Sequence, residues 1–330
     1  MSESQARSGT HPRSGAAGIG AATIMQLPVP DHLAPYYAGN LLVPGSFEPH
    51  RGGGFCVRTE DLAAGDADSF FAQHGLADAP DWPRGEYFYG LRFYAAAPVL
   101  YEVSFGGRTR VGAQQMGTHR VLPAPFVGTG YTNYAERAVP EYWMLLTELS
   151  AGTELWRVDG AANQERVAVY SGRYTGWRPE PGIEPFGPYA WTPPPVPLPV
   201  SVRRGLYAAV QGAEYEAEFG PRPGEVALYR RAGDGGLQSM RLPVEQCDSL
   251  THVRLLCNWR GAQFEALSAD GETVALNYLG ENYQEAAELG LPEIGYRIWR
   301  IVVPRAEVAE YALEERPIYT GTAAADVGAG

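Results

Sequence analysis

A β-rich α+β fold is predicted for this chain, in two unlike halves, and three observations predict it. Forty glycines and 27 prolines in 330 residues supply many turns and leave room only for short elements. Twenty tyrosines and seven tryptophans favour the pleated, half-buried surface of a strand. The third observation is an internal echo. Gly212-Ala213-Glu214-Tyr215-Glu216-Ala217 returns as Gly261-Ala262-Gln263-Phe264-Glu265-Ala266, and Val226-Ala227-Leu228 returns as Val274-Ala275-Leu276.

The elements follow in chain order. Residues 1–25 are Ser, Gly, Ala and Arg without a period, the composition of a disordered tail. Residues 26–178 form a β-rich α+β domain. Its segments EYFYGLRFYA, VLYEVSFGG, TRVGAQQ, WMLLTEL, TELWRV and RVAVYSG are bounded by Gly or Pro and predict strands. YEVSF alternates apolar with polar side chains, the period of a half-buried strand. One helix is predicted in DADSFFAQHG, with Asp66 or Asp68 at its N-terminus and Gly75 closing it. Residues 179–200 hold nine prolines, which remove backbone donors and fix φ, so an extended linker is expected. Residues 201–318 carry the duplication, with repeats at 205–252 and 253–318. Each repeat closes on a proline-led segment, RLPVEQCDSL in the first and VVPRAEVAEY in the second. Pro304 suits the first turn of a short helix. The second repeat contains the insertion GENYQEAAELGLPEIGYR, where Asn282 and Glu285 predict a capping box and Gly290 a C-terminal cap. Two such copies suggest a tandem pair of small SH3-like β-barrels, each too small to bury much surface without its twin. Residues 319–330 form a second tail.

Composition excludes several chemistries. All 26 basic residues are arginine, so a Schiff base, a pyridoxal anchor or a phosphate-loop lysine has no amine to use. A formal charge of −12 repels a phosphate backbone and suits a basic partner. Three cysteines without a C-x-x-C pair argue against a disulfide framework and point to a reducing cytoplasm. There is no run of 18 apolar residues, so no membrane span is expected. Phosphate-loop, H-E-x-x-H and G-x-S-x-G signatures are absent. The six histidines are scattered without metal-ligand spacing, so neither a metal nor a resident cofactor is expected.

The densest polar stretch is residues 117–142. His119, Arg120, Tyr131, Tyr134 and Arg137 lie there in loop-like surroundings and are the candidate ligand-binding residues. Upstream, Arg92 sits among bulky strand neighbours and needs a partner, either a structural ion pair or a ligand. EYWMLLTELSAGTELWRV, residues 141–158, resembles a strand pattern of ADP-ribosyltransferase and related NAD-cleaving toxin domains. The resemblance implies NAD as substrate, Arg92 as phosphate clamp and Glu141 or Glu136 as the acid. The acid which that family carries just before its "LL" falls here on Trp143 or Met144. The composition itself leads to a different expectation. A non-catalytic interaction protein, of the antitoxin or immunity kind, would cover a basic partner with acidic loops. Glu214, Glu216 and Glu265, on the repeat, are its candidate contact residues.

Overall fold

The computed structural model describes residues 22–42, 47–79, 82–95, 101–103, 120–122, 130–183, 202–231, 233, 236–269, 271–280, 283–295 and 298–320. Two antiparallel ten-stranded sheets carry the fold. The first is built from β1 (Ile24–Val29), β2 (Arg51–Arg58), β3 (Phe88–Tyr94), β4 (Tyr101–Val103), β5 (Arg120–Leu122), β6 (Gly130–Tyr134), β7 (Arg137–Glu148), β8 (Glu154–Val158), β9 (Gln164–Tyr170) and β10 (Trp177–Pro179). Its order is β10-β9-β8-β3-β1-β2-β7-β4-β5, with β6 hairpinned onto β7.

Each face of this sheet is covered by a short helix. Met25, Leu27, Leu91, Phe93 and Leu155 turn to one face and pack with Ala34, Tyr37 and Ala38 of α1 (Ala34–Ala38). Phe88 and Val158 turn to the other and meet Phe70 and Phe71 of α2 (Ala67–Gln73). The predicted cap is present: Asp66 accepts from Ser69 N at 2.9 Å. Gly75 follows the helix at φ +69°, a conformation glycine adopts without a Cβ penalty.

Asn40, after α1, has φ 55° and grips Trp177. Its Nδ2 donates to Trp177 O at 2.9 Å, and its Oδ1 accepts from Trp177 N at 2.6 Å. Both bonds are buried, so Asn40→Ala is expected to lower the unfolding free energy by about 2–3 kcal/mol. Urea melts would read that as a lower midpoint at unchanged m.

The second sheet holds β11 (Gly205–Val210), β12 (Ala213–Phe219), β13 (Glu225–Arg231), β14 (Leu237–Pro243), β15 (Ser249–Trp259), β16 (Ala262–Ala269), β17 (Thr273–Tyr278), β18 (Glu293–Gly295), β19 (Ile298–Pro304) and β20 (Ala309–Thr320). The duplication appears as one plan used twice. Each copy opens with a hairpin whose two-residue turn has both φ values positive: Gln211 and Gly212 at 51° and 76°, Arg260 and Gly261 at 49° and 82°. Turns of that hand match the twist of the flanking strands and demand glycine, which explains the repeated Gly-Ala. Each copy ends in a proline followed by a 3-10 turn, Val244–Gln246 or Arg305–Glu307, and then a strand.

The copies are not separate closed barrels. Neither sheet closes on itself. The long strand β15 belongs to both copies: β11 pairs with its first half and β16 with its second, while β20 runs along its opposite edge. Sharing one strand joins the copies into a continuous sheet. Each still keeps its own core, Leu206, Ala217, Val226 and Leu250 in the first, Phe264, Leu276, Tyr278 and Trp299 in the second.

The insertion of the second copy forms α3 (Tyr283–Glu288), with Gly290 at φ +69° after it. Glu285 accepts from the Tyr278 hydroxyl, and Asn282 lies outside the described residues. Most of the proline-rich stretch and TRVGAQQ also lie outside them, whereas Pro179 at the stretch's start belongs to β10.

Part of the expected loop over 117–142 is a β-hairpin. Tyr131, Thr132, Tyr134 and Val139 favour strands, and Tyr134 pairs with Arg137 across a two-residue turn, Ala135-Glu136, with Ala135 at φ 50°.

Candidate functional site

Charged side chains fill the seam between the two sheets. Glu48 precedes β2, and Arg204 donates to it at 2.6 Å. Arg300 from β19 and Arg51 from β2 stand at 3.5 and 3.8 Å from its other oxygen. Glu265 on β16 lies 3.7 Å from Arg51 and 3.3 Å from Arg254 of β15. Glu148 at the end of β7 accepts from Arg173, whose other nitrogen reaches Glu216 at 3.0 Å and whose backbone N–H reaches Glu218 at 2.8 Å. The Tyr174 hydroxyl adds a bond to Glu216 at 2.9 Å. The backbones also meet directly, Ala151 N donating to Phe219 O at 3.1 Å. Gly205 leaves room for the Glu148 carboxylate: at φ +97°, an added Cβ would stand 3.1 Å from Glu148 Oε1.

Arg51 and Glu265 are buried, with 1% and 2% of their side chains exposed. Ions in such a place are stable only when paired. Burial works to raise the Glu48 carboxyl, but Arg204, Arg51 and Arg300 outweigh it and hold the group well below the carboxylate range. Glu148 is brought to about 2 by Arg173 against the same opposition from burial. Glu265 is lowered too, Arg254 and Arg51 outweighing burial. Arg300 falls to about 10 because burial exceeds the support of Glu48. Glu218 moves upward, its burial outweighing the Tyr229 hydroxyl that donates to it.

A cleft opens beside this lattice. Leu27, Leu33, Phe47, Trp82, Ile294 and Ile298 give it apolar walls. The three glycines of β2, Gly52 to Gly54, present backbone to it, and Glu48, Arg51 and Arg300 form its charged end. Among the described residues no cluster of three His, Cys, Asp or Glu side chains could hold a metal ion.

The residues singled out in the sequence lie elsewhere. Arg92 on β3 donates through Nε to Gln26 at 2.7 Å and through Nη2 to Gln164 at 2.8 Å, and stacks over Trp156 at 4.3 Å. Neutral amides and an indole hold it, with Glu154 near enough to support its charge. Gln26 continues to His74 at 3.0 Å. Glu141 on β7 is buried and accepts from Thr132 beside Gly75. Glu136 stands exposed at the hairpin tip, and Arg137 next to it reaches Asp61 O at 3.2 Å. Tyr134 is half-buried at the same turn. Arg120 falls on β5 and Tyr131 on β6, and His119 lies outside the described residues.

The expected acidic rim is only partly on the surface. Glu265 is buried in the seam, Glu216 is half-buried where it pairs with Arg173, and Glu214 is open, where Arg203 pairs with both its oxygens at 2.7 and 2.8 Å. Sequence reasoning missed Glu48, Arg51 and Arg300. The signal was Glu-Pro-His-Arg followed by three glycines and Phe, a glycine run that marks close backbone approach within a strand.

Comparison with protein-family models, with curated proteins and with solved structures found no match.

Proposed function

We propose that the chain is a non-catalytic interaction protein that binds a basic protein partner along β20. The observation that carries this reading is the character of that strand. It is twelve residues long, it pairs only with β15 among the described residues, and most of its length is exposed. Tyr311 and Leu313 stand 42% and 49% exposed at alternate positions, hence on one face. Glu307, Glu310 and Glu315 surround them and are exposed. An open edge can accept an added strand through main-chain bonds, while the apolar pair anchors it and the acidic border selects a basic partner. Pro317 and the glutamates guard the same edge against indiscriminate pairing.

The two copies around β15 support the tandem SH3-like reading. Each runs its strands in the same order, places a 3-10 turn before the last strand and lays that strand against its first. An immunity or antitoxin role is the specific form of this reading, for which net acidity is the support. For NAD cleavage the Arg92 clamp would have to leave Gln26 and Gln164.

The test is capture of partners on the immobilised full chain, with Tyr311→Glu/Leu313→Glu as control, alongside nicotinamide release from NAD. A stoichiometric basic protein that elutes with salt and is lost from the variant is expected. Equal capture by both chains, or nicotinamide release above a heat-killed control, would overturn the proposal.

A further inference from the structure

The seam cleft carries an inference independent of β20. We propose that it binds a small apolar monocarboxylate, its apolar body between Leu27, Phe47, Trp82 and Ile298 and its carboxylate against Arg51 and Arg300.

Three observations point there. The first is chemistry: the cleft is apolar along its walls and charged at one end, the arrangement that orients an amphipathic ligand. The second is charge balance. Three arginines, Arg51, Arg204 and Arg300, converge on the single carboxylate of Glu48. The nearest further acid, Glu265, is shared between Arg51 and Arg254. An incoming anion meets these three guanidinium groups in a place of low dielectric, where charge counts most, although Glu265 and Glu148 also act on Arg51 and Arg204. The third is an unspent donor set. Arg51 is 1% exposed, yet its Nε and Nη1 make no hydrogen bond among the described residues. Its ion pairs stand at 3.7 and 3.8 Å, beyond hydrogen-bond reach. A buried guanidinium normally uses its fork, and a carboxylate matches that fork. A neutral ligand would fill the walls and leave those donors as they are.

Octanoate is the probe, with octanamide as its neutral counterpart, titrated into the full-length protein by calorimetry at pH 7. The expected result is saturable one-to-one binding of octanoate, with octanamide at least tenfold weaker. Ile298→Trp, which fills the cleft from a half-buried position, is expected to abolish binding while leaving the melting temperature within a few degrees. Arg51→Gln, where it folds, is expected to bind acid and amide equally. Ile298→Trp keeps the test decisive where Arg51→Gln does not fold. No saturable binding, equal affinity of the native chain for acid and amide, or octanoate binding unchanged by Ile298→Trp would each overturn the proposal. Because Tyr311→Glu/Leu313→Glu leaves the cleft intact, that variant should bind octanoate like the native chain, so the two proposals fail separately.

Discussion

Glu265→Gln is expected to lower the unfolding free energy by about 3–5 kcal/mol, the loss that follows when one member of a buried ion pair is removed. The substitution preserves shape and keeps one oxygen, so packing is not what changes. What changes is that Arg254 loses its nearest carboxylate at 3.3 Å and Arg51 the one at 3.7 Å, both guanidinium groups remaining buried. The exposed pair Arg203–Glu214 supplies the contrast. Its bonds are shorter, 2.7 and 2.8 Å, but its side chains are 42% and 53% exposed, and Glu214→Gln is expected to cost about 1 kcal/mol or less. Bond length ranks these pairs one way and burial the other, and burial decides. The double variant Arg254→Met/Glu265→Leu should recover most of the loss, since a well-packed apolar pair replaces a buried ion pair at little cost. Urea melts at constant m settle the matter. A cost below about 1 kcal/mol for Glu265→Gln would mean that water reaches the seam and that the lattice does not join the halves.

The seam also explains what was legible in the sequence and what was not. Local signals held. Asp66 caps the predicted helix, the repeated Gly-Ala marks the two hairpin turns, and Pro304 leads a short turn. These depend on φ preferences and neighbouring hydrogen bonds, which a few residues determine. The seam was hidden because His252 and Arg254 alternate with Val253 and Leu255 along β15, a pattern that predicts a solvated polar face. Here that face is covered by the first sheet, and its charges find partners from residues about two hundred positions away, such as Arg51 for Glu265. Alternation reveals which side is polar, not whether a second layer will cover it. The shared strand was hidden for a related reason. Similarity between Gly212–Ala217 and Gly261–Ala266 establishes duplication but not closure, because whether a small sheet closes depends on the partner each edge finds. Arg92 calls for a partner, an ion pair or a ligand. Glutamines from two other strands also hold it, and Gln26 and Gln164 carry no signal of that role.

Stability is expected to fall from about pH 6.5 downward, well before carboxylates titrate. Burial pulls His74 from 6.5 to about 3, and His50 and His252 to about 4. Arg92 adds to the shift at His74, whereas Glu48 and Glu265 partly oppose burial at the other two. Folded, these imidazoles stay neutral below pH 6.5, while the unfolded chain takes up a proton on each near that value. The unfolded state then binds more protons, so stability declines with falling pH until the folded values are reached. At about 1.4 kcal/mol per unit, the closely buried His74 and His252 contribute on the order of 5 and 3 kcal/mol across their full windows. The carboxylates act in a lower window and with the same outcome. Glu48, Glu148 and Glu265 have folded values below the ordinary one, so their contribution is whole above the unfolded value and disappears as pH falls through the folded one. For Glu148 that window runs from 4.5 to about 2. Urea midpoints measured from pH 8 to pH 4 on the native chain, on His74→Gln and on His252→Gln would separate the effects. Each variant should begin less stable, through its lost packing, and show a shallower decline between pH 6.5 and pH 4. A native chain equally stable at pH 7 and pH 5 would show that these histidines gain their protons without unfolding, and that the interior around them is far less closed to charge than its packing implies.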